Sequence, residues 1–371
     1  MCPGNRVYEK KMINFIRKKN LQIWLPAYLR ELTSSPQRRS SSGPVHVMVM
    51  FVDHYELAGK EPRLREWMRR YPDLALRHRD SDGICPKHTW FYALDLMREK
   101  ELEEMRSLVD RGLGEVELHW HHSHDTAESF QDKLHKGLAI FQKHGYMMSM
   151  KEGVPGCFAF IHGNWSLDNS GGDKFCGVNN EIQLLKQAGC YADFTFPALY
   201  STCQPATINS IYYVKDNGKP KSYDIGRLAR VGVKEREDEF MIFQGPLTIN
   251  WKDWRHKWHP TFEDGDICSD THASSKRIDS WIRQNIHVRG REEWVFVKIF
   301  CHGGQDHRAV LGSATDSMFS YMEDTYNDGE RYFLHYITAR EAYNIVKAAE
   351  DGKTGNPHQY RDYLIKAPHE R

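Results

Sequence analysis

Apolar residues along the chain fall into short unbroken runs set between longer amphipathic stretches. Val45–Val52 (VHVMVMFV) reads as a strand buried on both faces. Glu115–His119, Cys157–Ile161, Ala192–Phe196, Met241–Gln244 and Trp294–Phe300 read as further strands. Between them, helical periodicity predicts helices over Thr89–Asp110, Thr126–His144 (closed by Gly145) and Asn180–Ala188 (ended by Gly189). Ser275–Ile286, Asp316–Tyr326 and Thr338–Ala349 complete the set, the last opened by a Thr338/Glu341 capping box. Strand and helix in alternation predict an α/β domain with a parallel sheet and helical crossovers.

Two segments break this rhythm. Tyr8–Leu32 predicts a basic amphipathic helix, with Met12, Ile13, Phe15 and Ile16 on one side and Arg17, Lys18 and Lys19 nearby. Packing across the domain is favoured for it, because apolar helix faces are usually buried, over peripheral contact with an anionic membrane surface. Thr33–Pro44 follows as a Ser/Arg/Pro-rich linker, so residues 1–44 form an extension and 45–371 the α/β domain. Within that domain, residues 205–265 read as an insertion. It holds an expected β-hairpin over Ile211–Tyr223 about Asn217-Gly218, then Trp251, Trp254 and Trp258, and would form one wall of a site.

Composition narrows the function. The 371 residues are 40% hydrophobic, enough for a core, and no run of about 18 apolar residues predicts a transmembrane helix. With 51 Lys and Arg against 50 Asp and Glu, the formal charge of +1 supplies no global field for nucleic acid. Eight scattered cysteines without a C-x-x-C pair read as free thiols. With no apolar signal segment at the N-terminus, they predict a cytoplasmic protein. Twenty histidines are the unusual number, and they point toward a site.

Three strand ends carry the chemistry. Asp53 and His54 follow MVMFV. His119, His121 and His122 close the second strand. His302 precedes Gly303-Gly304, where absent side chains let a substrate or backbone approach closely. In parallel α/β folds ligands sit at the carboxyl ends of strands. Side chains alternate along a strand, so His119 and His121 face one way and suit a shared divalent ion at about 2.0–2.1 Å. Glu117 lies beneath them as a candidate acceptor for a ligand imidazole. Asp125 is either a site residue or, with Glu128, the cap of the next helix. His162, Asn164 and Trp165 follow the third strand and are candidates for substrate contact, with Asp168 assisting.

These residues resemble the NodB-like polysaccharide deacetylases of the glycoside hydrolase/deacetylase barrel superfamily. The strings FVDHYE (Phe51–Glu56), EVELHWHHSHDT (Glu115–Thr126), FIHGNW with LDNS (Phe160–Ser170), CGVNNE (Cys176–Glu181), GCYADFTFP (Gly189–Pro197) and INSIYY (Ile208–Tyr213) resemble more closely a bacterial deacetylase-like subgroup. The resemblance spans about Val45 to His307 and implies a distorted (β/α) barrel that removes an N-acetyl or O-acyl group from a carbohydrate. It implies a divalent metal, zinc first; joined to the absence of a signal segment, it makes an intracellular precursor of a surface polysaccharide the expected substrate. Asp53 matches the catalytic base and His302 the late acid. His54 stands where a metal-binding Asp is usual, and His119 matches the first metal histidine. The usual partner four residues on falls at Ser123, so His121 or His122 takes its place. A metallo-phosphoesterase or amidohydrolase, and a carbohydrate-binding descendant without catalysis, stay open as alternatives.

Overall fold

The computed structural model describes residues 19–34, 43–147, 157–251 and 261–367. In chain order, α1 (Leu21–Ser34) precedes β1 (Val45–Tyr55), α2 (Glu61–Ala75), β2 (His88–Ala93), α3 (Glu99–Asp110), β3 (Gly114–Trp120), α4 (Ala127–Lys143) and β4 (Phe158–His162). Then come α5 (Glu181–Gln187), β5 (Cys190–Asp193), β6 (Ile211–Val214), β7 (Arg227–Leu228), β8 (Phe240–Phe243), β9 (Thr248–Asn250), β10 (Thr261–Glu263) and β11 (Asp266–Ile267). Last are α6 (Ser275–Arg283), β12 (Trp294–Cys301), α7 (His307–Val310), α8 (Ser313–Tyr326), β13 (Tyr332–Ile337) and α9 (Ala339–Glu350).

The main sheet is mostly parallel, in the order β11-β12-β1-β2-β3-β4-β5-β8-β6-β7. β1 changes partner midway: Val45–Met50 pair with β13, and Phe51–Tyr55 with β2, while β12 flanks the other side. Strand alternation divides the core in two. Met48, Met50 and Val52 of β1 join Phe91, Ile161, Phe194, Phe243 and Phe296 on the inner face. Val47, Val49, Phe51 and Tyr55 join the helices on the outer face, where α2 presents Leu64, Trp67, Tyr71 and Leu74 at helical spacing. Phe91 meets Phe194 at 5.9 Å and Phe243 meets Phe296 at 5.5 Å, so the inner face curls on itself. Lys298, on β12, spans the remaining gap by donating to the carbonyls of Phe194 and Phe196.

Several expected elements change. The predicted helix over Thr89–Asp110 is strand β2 followed by α3. Its first residues, TWFYA, are β-branched and aromatic and are buried on both faces, which removes the period that separates strand from helix. The hairpin over Ile211–Tyr223 does not form. β6 pairs with β7 and β8, because Pro220, just past the Asn217-Gly218 turn, has no N–H to pair. Since β8 sits between β5 and β6, the strands within residues 205–265 extend the main sheet. The helix α4 is capped by Thr126 and Ser129 rather than by Asp125 with Glu128. The expected box at Thr338 and Glu341 is present.

The described part of the N-terminal helix packs Leu21, Trp24 and Tyr28 against Leu199, Ile208 and Leu247. Its basic start, residues 8–18, lies outside the described residues, as do Trp254 and Trp258. The seven cysteines among the described residues are free thiols. No helix among these residues is long and apolar enough to cross a membrane.

Candidate functional site

The carboxyl ends of β1 and β3 build the site through their register. Tyr55 pairs with Tyr92 and Ala93 with His119, so Glu56, one past Tyr55, comes level with His119 two strands away. The side chain between them is the methyl of Ala93, which leaves room for the longer two to meet. Glu56 Oε1 lies 3.3 Å from His119 Nε2 and 3.4 Å from His121 Nε2. The three ligand atoms all lie within 4.8 Å of one another. Gly163 makes space for the His121 ring, which a β-carbon at that position would overlap.

Both imidazoles are aimed by acceptors behind them. His119 Nδ1 lies 3.1 Å from the Ile161 carbonyl, which can only accept, so the proton is on Nδ1 and Nε2 is bare toward Glu56. Burial, first of its causes, lowers the pKa of His119 and keeps it neutral. Asp95 Oδ1 accepts from the His121 backbone N–H at 3.0 Å and faces Nδ1 at 3.1 Å. For His121, burial works downward, but hydrogen bonds to Asp95 and Glu56 prevail and raise it to about 9. Glu56 is moved the other way. Burial would raise its pKa, and the two imidazoles hold it well below the usual carboxylate range. A positive charge between Glu56 and the two rings is therefore what this arrangement favours. A proton on His121 meets that demand in part, and a divalent ion would meet it at all three atoms. Two His and one Glu form a three-ligand set of the catalytic zinc type, which leaves a coordination position for water or substrate.

His54 lies beside this set rather than in it, its ring 4.9 Å from His119 and 4.8 Å from His302. Burial, then the neighbouring imidazoles and Lys298, push it well below its ordinary pKa, so it is neutral. His302 is half-buried at the mouth, its ring 4.8 Å from that of His54 and 6.3 Å from that of Phe300. Trp165 adopts a positive φ of 54° and places its ring 6.4 Å from His54.

Other expected site residues lie elsewhere. Asp53 has the parity of Phe51 and Tyr55, so it faces the outer helices and not the mouth. Fully buried, it lies 3.0 Å from His88 Nε2 and accepts from the Gly303 N–H at 2.7 Å. Gly303 and Gly304 are filled against by the protein itself. A β-carbon on the first would overlap Asp53, and one on the second would come within 2.6 Å of the Glu56 backbone nitrogen. Glu117 accepts from the Tyr191 hydroxyl at 2.5 Å and the Ala159 N–H at 2.6 Å rather than from a ligand imidazole. Burial raises its pKa to about 8. His122 and His162 turn into a separate buried cluster with Cys176 and Glu181. Asp125 borders that cluster, 3.3 Å from His122 Nδ1, and accepts from Lys133 and Ser129 at 2.6 Å each. Asn164 donates to the carbonyls of His122 and Phe175, tying loops together. Asp168 binds Ser222.

The two residues missed were Glu56 and Asp95. Glu56 carried a signal, since it shares the parity of His54 and ends the same strand. Asp95 follows β2, whose burial on both faces hides the strand period. No protein-family model matches the chain, and no curated protein matches its sequence.

Proposed function

We propose that the chain is a metal-dependent hydrolase resembling the polysaccharide deacetylases, built on a distorted (β/α) barrel and removing an N-acetyl or O-acyl group from a carbohydrate. The observation that carries this reading is the convergence of Glu56 Oε1, His119 Nε2 and His121 Nε2 at the mouth of the parallel sheet, with both rings held from behind. A divalent ion bound there, zinc by the ligand types, would supply Lewis-acid chemistry: a water of lowered pKa and a polarised carbonyl.

The proton work falls to this chain's own residues. Asp53 is shut away, so His302 serves as both base and acid. It takes the proton of the attacking water as the carbon–oxygen bond forms, and returns it to the nitrogen as the carbon–nitrogen bond breaks. Trp165 offers an apolar wall for a sugar ring next to His54. A cytoplasmic precursor of a surface polysaccharide is the substrate class we favour.

The test is acetate release from N-acetylated and O-acetylated oligosaccharides by the zinc-loaded chain. His302→Ala should cut release by about 10²–10⁴-fold with zinc retained, and His119→Ala should abolish release together with zinc binding at Glu56, His119 and His121. Release undiminished in His119→Ala overturns the reading. Phosphoester turnover in place of acetate release would favour the metallo-phosphoesterase alternative, and glycan binding without turnover the non-catalytic one.

A further inference from the structure

Behind the open site, the ends of β3 and β4 and the start of α5 send a second set of ligand-type side chains to one point. His122, His162, Cys176 and Glu181 are each at most 4% exposed, and their ligand atoms all lie within 4.8 Å of one another. Glu181 Oε1 is 3.1 Å from His122 Nε2 and 3.8 Å from His162 Nε2, and Oε2 is 3.4 Å from Cys176 Sγ. In a tetrahedral zinc site with bonds of about 2.0–2.3 Å, neighbouring ligand atoms stand about 3.3–3.8 Å apart, so the set is close to the required spacing.

His162 supplies a second, independent sign. Its Nδ1 accepts the Asn164 N–H at 3.2 Å, so the neutral ring carries its proton on Nε2. That nitrogen is fully buried, has no hydrogen-bond partner and points toward Glu181. A buried polar group in this state is unfavourable unless something else meets it. Cys176 Sγ in turn receives the Val178 N–H at 3.4 Å, and its thiol donates toward Glu181 Oε2, the proton that a bound cation would displace. Behind His122, Asp125 Oδ2 stands 3.3 Å from Nδ1, the place of an orienting carboxylate.

We propose that His122, His162, Cys176 and Glu181 form a closed, four-ligand structural metal site for a zinc-type divalent ion, separate from the open one. Loading releases the Cys176 thiol proton and moves the His162 ring proton from Nε2 to Nδ1, which ends the Asn164 contact. The ion pins three successive loops at the mouth without touching substrate. This inference does not rest on the hydrolase reading.

The test uses the full chain, stripped of metal and titrated with Co²⁺ and with Zn²⁺. Of the two sites, the closed one contains a cysteine sulfur and the open one does not, so Co²⁺ should give a near-ultraviolet thiolate-to-cobalt absorption that depends on Cys176. Cys176→Ser should lose that absorption and one molar equivalent of metal, while His119→Ala keeps the absorption and loses the other equivalent. The Asn164 amide resonance should shift on loading of the wild-type chain. Absence of the thiolate absorption in the cobalt-saturated wild-type chain overturns the proposal even if Cys176→Ser fails to fold. Retention of full metal content by Cys176→Ser overturns it as well. Unchanged metal content in His119→Ala would count against the open site and leave this one standing.

Discussion

Asp53 offers the sharpest separation between a catalytic and a structural role. Replacing it with Ala removes both acceptors, leaving the His88 Nε2–H and the Gly303 N–H buried. Each orphaned donor costs about 1–3 kcal/mol, and breaking a buried hydrogen-bonded pair costs about 3–5 kcal/mol in total. Against a domain stability of about 5–15 kcal/mol, Asp53→Ala is expected to be at the edge of folding. Asp53→Asn keeps an acceptor for Gly303 and loses the carboxylate facing His88, so a loss of about 1–3 kcal/mol is expected. Urea unfolding should show a lower midpoint at an unchanged slope. Competition with a chelator should show zinc affinity at Glu56, His119 and His121 unchanged, since Asp53 faces away from them. An Asp53→Asn chain as stable as wild type but unable to hold zinc at the mouth would refute the assignment of Asp53 to the outer core.

Asp95→Ala removes the acceptor that aims His121. It should weaken zinc binding about 10–100-fold, or about 1.4–2.7 kcal/mol, with little change in unfolding; equal affinity by chelator competition would exclude the role. Gly304→Ala should displace the Glu56 backbone and lower zinc affinity, whereas Gly43→Ala, with nothing within 4 Å of the added carbon, should match wild type. The pH dependence of stability should carry a mark of His46, far from the mouth. Burial and then His335 lower its pKa from 6.5 to about 4, against opposing pulls from Asp82 and Glu293. Between those values the unfolded chain binds the extra proton, so stability rises with pH from about 4 to 6.5 and the contribution is flat above. One group gives a slope of at most about 1.4 kcal/mol per pH unit, and His46→Phe should flatten it; an unchanged slope in urea titrations at stepped pH would exclude His46 as the source.

The strand ends were the legible part of this protein. VHVMVMFV, the H-x-H pair and the run before His302 all form strands with their polar residues at the same end, as their pattern implies. The side each residue takes was legible too, because parity alone puts His54 and Glu56 on one face of β1 and Asp53 on the other. Asp53 beside His54 has the residue types of a metal site, but this alternation separates them and pairs His54 with Glu56. β2 was hidden by burial on both faces, and Asp95 was hidden with it. The cluster of Cys176 and Glu181 with His122 and His162 was hidden because its members lie past β3, at the end of β4 and in the segment that opens α5, which the sheet order brings together.

The exchange of partners along β1 has a temporal side. His46 pairs with Trp294 and with Phe333, while the tip that carries Glu56 pairs with β2 nearby in the chain. Joining such distant stretches is slow, because the loop must close before any contact rewards it. A nascent polypeptide thus acquires Glu56, His119 and His121 early, yet has no rigid root for them until β12 and β13 emerge. Shortening the chain after His307 would spare every metal-facing atom at the mouth and still deprive the first strand of half its foundation.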